Sequence, residues 1–331
     1  SSSSHSLVFL SLEKYASIDD NTEDLEFGWD HFTAASADAK RNYLAVMLND
    51  TLKSYGASDE IRRSIVEEWV GTMPLNQGAF YEEGYIDHQS MLYIPRAYGT
   101  NIPDRELFEE VKALFMKDGV VIVGGNDNED DNHPLIEDGN PSIHINRMVI
   151  AEEYNLVSKK DEIYGFWTVF NQRSGGKVRF SLSKPASMVN VEYDPEFLKE
   201  NLEVTRASTP DLADITITDF CSEGCDFCYM DSTIHGKHAE YKDISNILKS
   251  LADMKVFEVA IGGGAPLSHP DFIKILKRAR RLGIVPNFTT RSIAWINKPI
   301  AKQVMKYAGS FAVSVDSHKK VFKLSKLLKS A

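Results

Sequence analysis

Cysteine is scarce in this 331-residue chain, which has only three, at positions 221, 225 and 228. An odd set crowded into eight consecutive positions is a poor disulfide framework, which excludes the cross-linked, core-poor scaffold of small secreted domains. Long apolar runs are also missing, and none approaches the length needed to cross a bilayer. Leu7 to Leu12 is too short for a secretory signal and lacks a basic flank, so the cytoplasm is the expected location. Positive charge is in deficit, with 37 Lys and Arg against 48 Asp and Glu and a formal net charge of -11. Such a surface repels phosphate and argues against an extensive nucleic-acid interface. No internal repeat occurs, and the only low-complexity tract is the N-terminal serines. Residues 1–6 (SSSSHS) read as the remnant of an expression tag and are set apart from the fold.

What is present suits a globular protein. The apolar fraction of 43% and charged fraction of 26% leave ample material for a core, and the length allows two domains. The two halves differ in pattern. Residues 7–205 mix helices, strands and acidic loops and read as an α+β domain. Leu44, Met47, Leu48 and Leu52 lie at helical spacing within Ala39 to Ser54. A second helix starts at Ser58, and a third, Pro103 to Lys117, carries Leu107, Val111 and Leu114 on one face. Val120 to Val123 is a short strand ended by Gly124-Gly125. The acidic stretch Asn126 to Asn132 lacks the glycine and distal glutamate of a calcium loop and reads as solvated. Phe166 to Phe170 and Val178 to Leu182 form a hairpin around Ser174-Gly175-Gly176, followed by a strand at Ser187 to Tyr193 and a helix from Pro195.

Residues 206–331 alternate regularly between strand and helix. The expected strands are Asp214 to Thr218, Val256 to Ile261, Ile284 to Thr289 and Phe311 to Val315. Helices at Lys242 to Met254, Asp271 to Leu282, about Lys298 to Tyr307, and a Lys-rich terminal segment separate or follow them. Repeated βα units with short loops imply a parallel sheet whose ligands bind at the carboxyl ends of the strands.

All three cysteines fall in such a strand-end loop, Cys221-Ser-Glu-Gly-Cys225-Asp-Phe-Cys228. Thiolates are the usual ligands of iron–sulfur clusters. Three in one loop hold three irons of a cubane and leave the fourth without a protein ligand, open to bind and activate a substrate.

This Cys-x3-Cys-x2-Cys loop after a first strand resembles the signature of the radical S-adenosylmethionine superfamily. The resemblance spans residues 211 to about 317. It implies a [4Fe–4S] cluster on Cys221, Cys225 and Cys228, with S-adenosylmethionine bound at the open iron. It further implies reductive cleavage of that cofactor to a 5′-deoxyadenosyl radical, which removes a hydrogen atom from substrate. Gly262-Gly263-Gly264-Ala265-Pro266 resembles the family's Gly-Gly-Glu-Pro segment, whose backbone meets the cofactor's amino group. Ala265 replaces the common glutamate. Phe227 occupies the position that packs near the adenine. Thr289, Thr290 or Arg291 would contact the cofactor carboxylate, and Ser314 and Asp316 the ribose. An electron donor of flavodoxin or ferredoxin type is implied as a partner. The implied fold is a partial (β/α) barrel. About four βα units are present where the family has six, so the N-terminal domain, a partner chain or a longer chain would complete it. The N-terminal domain is a candidate for substrate recognition.

Two other readings stay open at this stage. His235 and His238 follow Cys228 closely enough to complete a three-cysteine, one-histidine zinc site. Ala265 and the short barrel also suit a binding or assembly protein that retains a degenerate fold without turnover. For single residues the plainer roles are a tight turn at Gly262 to Gly264, a helix cap at Asp316 and a surface ion pair at Arg291.

Overall fold

In the computed structural model of the chain, the residues described are 3–22, 26–28, 30–71, 84–86, 90–126, 133–145, 155–180, 207–226 and 228–330. The chain forms two compact units, Ser1–Asn171 with Gly176–Arg206, and Gln172–Gly175 with Ala207–Ala331.

The first unit runs β1 (Ser3–Phe9), α1 (Leu12–Tyr15), β2 (Glu26–Phe27), β3 (Phe32–Ala34), α2 (Ala37–Ser54), α3 (Asp59–Val70), β4 (Tyr85–Ile86), β5 (Arg96–Ala97) and α4 (Arg105–Phe115). It continues with β6 (Val120–Asn126), α5 (Pro134–Glu137), β7 (Ser142–His144), β8 (Leu156–Asp161), β9 (Phe166–Asn171) and β10 (Lys177–Phe180). One antiparallel sheet has the order β3-β6-β1-β7, and a second, mixed sheet has the order β10-β9-β8-β5, with β5 parallel to β8 and the other pairs antiparallel. Side-chain caps start the three long helices. Ser36 accepts from Ala39 N, Ser58 from Ile61 N and Asp104 from Leu107 N, which satisfies donors that a helix start leaves free. The apolar face of α2, with Tyr43, Leu44, Met47, Leu48 and Leu52, is buried in the main core.

Two sequence expectations fail here, each for its own physical reason. Residues 3–6 are not outside the fold, because they belong to β1, an interior strand paired with β6 on one side and β7 on the other. Polarity hid this strand. Its serines and histidine alternate like any strand, and each face satisfies them. His5 is 1% exposed and its Nδ1 lies 2.9 Å from Tyr43 Oη, while Ser3 Oγ lies 2.8 Å from Ser90 Oγ. On the other face Ser4 and Ser6 meet His144 Nδ1 at 2.9 and 3.2 Å. Burial of these polar atoms is tolerable because each has a partner.

The second failure concerns Gly124-Gly125, which do not end β6 but lie within it, opposite His5 and Ser4. A Cβ on Gly124 would stand 2.4 Å from His5 Cδ2 and from Phe32 Cε1, so the glycine makes room for two rings. Gly124→Ala is therefore expected to lower the unfolding free energy by about 1–3 kcal/mol. Chemical denaturation measures this, and an unchanged midpoint would contradict the packing described. The strand expected at Ser187 to Tyr193, the helix from Pro195 and Asp127 to Asn132 lie outside the described residues.

The second unit is more regular: β11 (Leu212–Thr216), α6 (Tyr241–Asp253), β12 (Glu258–Gly262), α7 (Phe272–Arg281), β13 (Val285–Thr290), α8 (Ile300–Tyr307), β14 (Phe311–Val313) and α9 (His318–Ser330). The expected elements are present with ends shifted by a few residues. The four strands are parallel in the sequential order β11-β12-β13-β14. Ile215, Ile261, Phe288 and Phe311 pair in one row across the sheet. Gly283, at φ +82°, follows α7 where a left-handed C-terminal residue is favoured.

Buried side chains of α6, α7 and α8 share one core with Val259, Ile261 and Phe288, so these helices cover one face of the sheet. Strand alternation then assigns Asp214, Thr216, Ala260, Gly262, Asn287, Thr289, Ala312 and Ser314 to the opposite face. Apart from Leu212 and Val285, which the same alternation puts there, that face is built of small and polar residues. No described helix is long and apolar enough to cross a membrane.

Candidate metal centre

Past β11 the chain keeps its pairing with β12 for one more residue, as Ile217 N donates to Gly262 O at 3.2 Å. It then makes the cysteine loop and returns along itself. Asp219 N donates to Lys237 O at 2.9 Å, Cys221 N to Thr233 O at 2.9 Å and Ala239 N to Ile217 O at 3.0 Å. Buried Thr218 anchors the base of the loop. Its Oγ1 accepts from Phe220 N at 3.0 Å and lies 2.8 Å from His238 Nδ1. The His238 ring packs between Phe220 and His269. His269 Nε2 donates to Ala239 O at 2.8 Å while its Nδ1 accepts from Asp271 N at 3.0 Å, which fixes its tautomer and ties α7 to the returning leg.

The triple glycine holds this loop. Gly264 N donates to Thr218 O and Ala265 N to Phe220 O, both at 2.7 Å. A Cβ on Gly263, which sits at φ +119°, would lie 2.2 Å from Thr218 O. One on Gly264 would lie 2.3 Å from Phe220 O and 3.0 Å from Cys221 Cβ. At Gly263 and Gly264 the backbone that approaches closely is that of the cysteine loop. Gly262 differs, for the nearest atom to its would-be Cβ is Ile215 O at 3.9 Å. It leaves space on the face opposite α6, α7 and α8, which is helix-free among the described residues of the unit.

All three cysteines are half-buried. Cys228 N donates to Cys225 O at 3.1 Å, and Asp231 takes a left-handed φ of +49°. That turn aims backbone N–H groups at the Cys228 sulfur. Those of Ser232 and Met230, followed by Asp231, hold its thiol below the usual range. Cys225 Sγ accepts from Arg291 Nη1 at 2.8 Å. The same guanidinium is paired with Asp316.

The remaining expected site residues divide by face. Thr289 and Ser314 are exposed on the helix-free face with Gly262. Thr290 is not, because strand alternation turns it toward the helices, where it is buried with Oγ1 3.4 Å from Ser292 O. Asp316 is not the cap of α9, since Ser317 Oγ accepts from Lys320 N. Phe227 lies outside the described residues. Asp214 and Thr216 join the helix-free face without having been singled out, although alternation in β11 was their signal.

Among the described residues, no three His, Cys, Asp or Glu side chains gather closely enough to hold a single metal ion. A zinc site needs its ligands around one point, whereas thiolates that each bind a different iron of a cubane stand farther apart. One thiol is favoured as thiolate by backbone amides and another faces a cation, so the donor set fits an iron–sulfur cluster.

The model of the Radical SAM superfamily matches residues 215–326. No curated protein matches the chain significantly. Among solved structures, that of Streptococcus suis SuiB is 17% identical, with a TM-score of 0.36 over 52% of this chain and 48% of that one. SuiB bound to its precursor peptide SuiA gives 16% identity and a TM-score of 0.37, covering 51% and 49%. SuiB bound to S-adenosylmethionine gives 16% and 0.36, covering 52% and 49%. The chain thus spans about half the length of these structures.

Proposed function

We propose, taking as premise that residues 215–326 form a radical SAM superfamily domain, that this chain cleaves S-adenosylmethionine reductively and abstracts a hydrogen atom from its substrate. The observation that carries this reading is the set of three half-buried thiols in one loop at the carboxyl end of β11. Cys221, Cys225 and Cys228 would hold a [4Fe–4S] cluster. When bound, that cluster supplies the single electron that breaks the carbon–sulfur bond of the cofactor.

The protein's share is binding and orientation. Gly262 leaves room for the amino end of the cofactor to approach its backbone. Arg291 brings a cation for the cofactor carboxylate, while Thr289 and Ser314 present hydroxyls on the same face and Asp316 offers a carboxylate to ribose hydroxyls. Ala260 and Ala312 keep that face shallow, so a ligand can lie across the sheet. Sequential parallel order with helices on one face suits a partial barrel, in which the helix-free face is the interior. Among the described residues β14 is the last strand of this sheet, and its edge is where further strands, such as those of a partner chain, would add. The first unit would recognise substrate, and a flavodoxin or ferredoxin would deliver the electron.

A second reading is favoured by Ala265. Its backbone N–H is taken by Phe220 O, and its methyl group brings no carboxylate to the cofactor. A protein of this kind would keep the cluster without turnover. Anaerobic incubation of the reconstituted chain with dithionite and S-adenosylmethionine separates the two. Release of 5′-deoxyadenosine and methionine is expected, and an intact cluster that yields neither would establish the second reading.

A further inference from the structure

We infer that Arg291 and Asp316 together set the reduction potential of the cluster, with Arg291 as the positioning residue of the ligand Cys225 and Asp316 as its counterweight. This rests on the cluster assignment proposed above. Arg291 lies just past β13, Asp316 just past β14, and Cys225 in the loop after β11, so three strand ends meet at one guanidinium. Arg291 Nη1 donates to Cys225 Sγ at 2.8 Å, and Nη2 bonds Asp316 Oδ2. The side chain of Arg291 is only 25% exposed, while that of Asp316 is 47% exposed. A surface ion pair alone contributes little, but this cation is the better shielded partner and is hydrogen-bonded to a ligand atom.

The electrostatic consequence follows from the sign of the charges. Reduction adds one negative charge to the cluster. A fixed cation on a ligand sulfur stabilises the reduced form more than the oxidised one and so raises the potential. Asp316 aims the guanidinium and also cancels part of its charge. An arginine can serve both partners because its planar fork donates in two directions at once, whereas a lysine ammonium presents a compact point charge. The neighbouring Thr290 is buried, which fixes where the arginine leaves the strand.

The test is an EPR-monitored redox titration, without S-adenosylmethionine, of the reconstituted full chain and its Arg291→Gln, Arg291→Lys and Asp316→Asn variants, with iron content measured on each. Arg291→Gln is expected to reduce about tenfold less readily, about 59 mV lower for a one-electron couple. Asp316→Asn should shift the opposite way, and Arg291→Lys should fall between wild type and Arg291→Gln. Opposite signs cannot come from a loosened loop, and Asp316→Asn decides the matter if Arg291→Gln fails to load iron. Wild-type potentials in Arg291→Gln and Asp316→Asn, or shifts of the same sign in both, would overturn the inference while leaving the cluster assignment intact. A wild-type chain that takes up no four-iron cluster would instead overturn the assignment beneath it.

Discussion

Cys225→Ala is expected to lose the reconstituted cluster, with iron falling from about four per chain to near background, because a cubane held by three thiolates cannot keep its place on two. Cys221→Ala and Cys228→Ala should do the same. The effect is large because on the proposed assignment the three side chains would be the cluster's whole protein ligand set, and the loop's own backbone bonds do not depend on them. Cys221 N and Cys228 N bond Thr233 O and Cys225 O through the main chain, so each variant should fold with its secondary structure unchanged. Circular dichroism and iron analysis on the same samples check both halves of this statement. His235→Ala and His238→Gln provide the contrast. If histidine completed a zinc site, one of them would release metal. Both variants are expected to keep full iron.

Gly264→Ala is expected to disable the same site without replacing a ligand. Its new methyl group would lie 2.3 Å from Phe220 O and 2.7 Å from Phe220 C, and neither is the end of a side chain that can swing away. The loop backbone must move, which breaks the bonds Gly264 N to Thr218 O and Ala265 N to Phe220 O. Overpacking and two lost hydrogen bonds together cost about 2–5 kcal/mol. Iron uptake should fall several-fold even with all three cysteines present. Gly262→Ala separates the two uses of glycine in this run. Nothing crowds its Cβ, so stability and iron content should match wild type, while binding of S-adenosylmethionine weakens. Thermal unfolding and cofactor titration on the two variants read this out, and equal behaviour of the two would contradict it.

The second unit was largely legible in the sequence because its strands carry alternating apolar residues such as Val259 and Ile261, and its helices carry a clear apolar face. The cysteine spacing marked the candidate site directly. The first unit was less legible for a physical reason. β1 is buried through polar atoms, His5 on Tyr43 and Ser3 on Ser90, and those partners lie 38 and 87 positions away. Glycine also reads ambiguously in sequence. At Gly124 it accommodates rings, at Gly263 and Gly264 it accommodates a loop, and at Gly262 it leaves open space. The pattern of residues is similar in each case, and only the neighbours differ. Arg291 was marked as a cofactor contact, but its bond to Cys225 joins residues 66 apart and needs the parallel order of three strands to exist. Thr290 and Asp316 show the same limit at short range, since strand parity and the choice of Ser317 as cap decide their roles.

The most direct test of the central claim is EPR of the anaerobically reconstituted, reduced chain with and without S-adenosylmethionine. A four-iron signal whose g-values shift on adding the cofactor, and which is absent from Cys225→Ala, is the expected result. Zinc in place of iron, or a four-iron signal indifferent to S-adenosylmethionine, would contradict it.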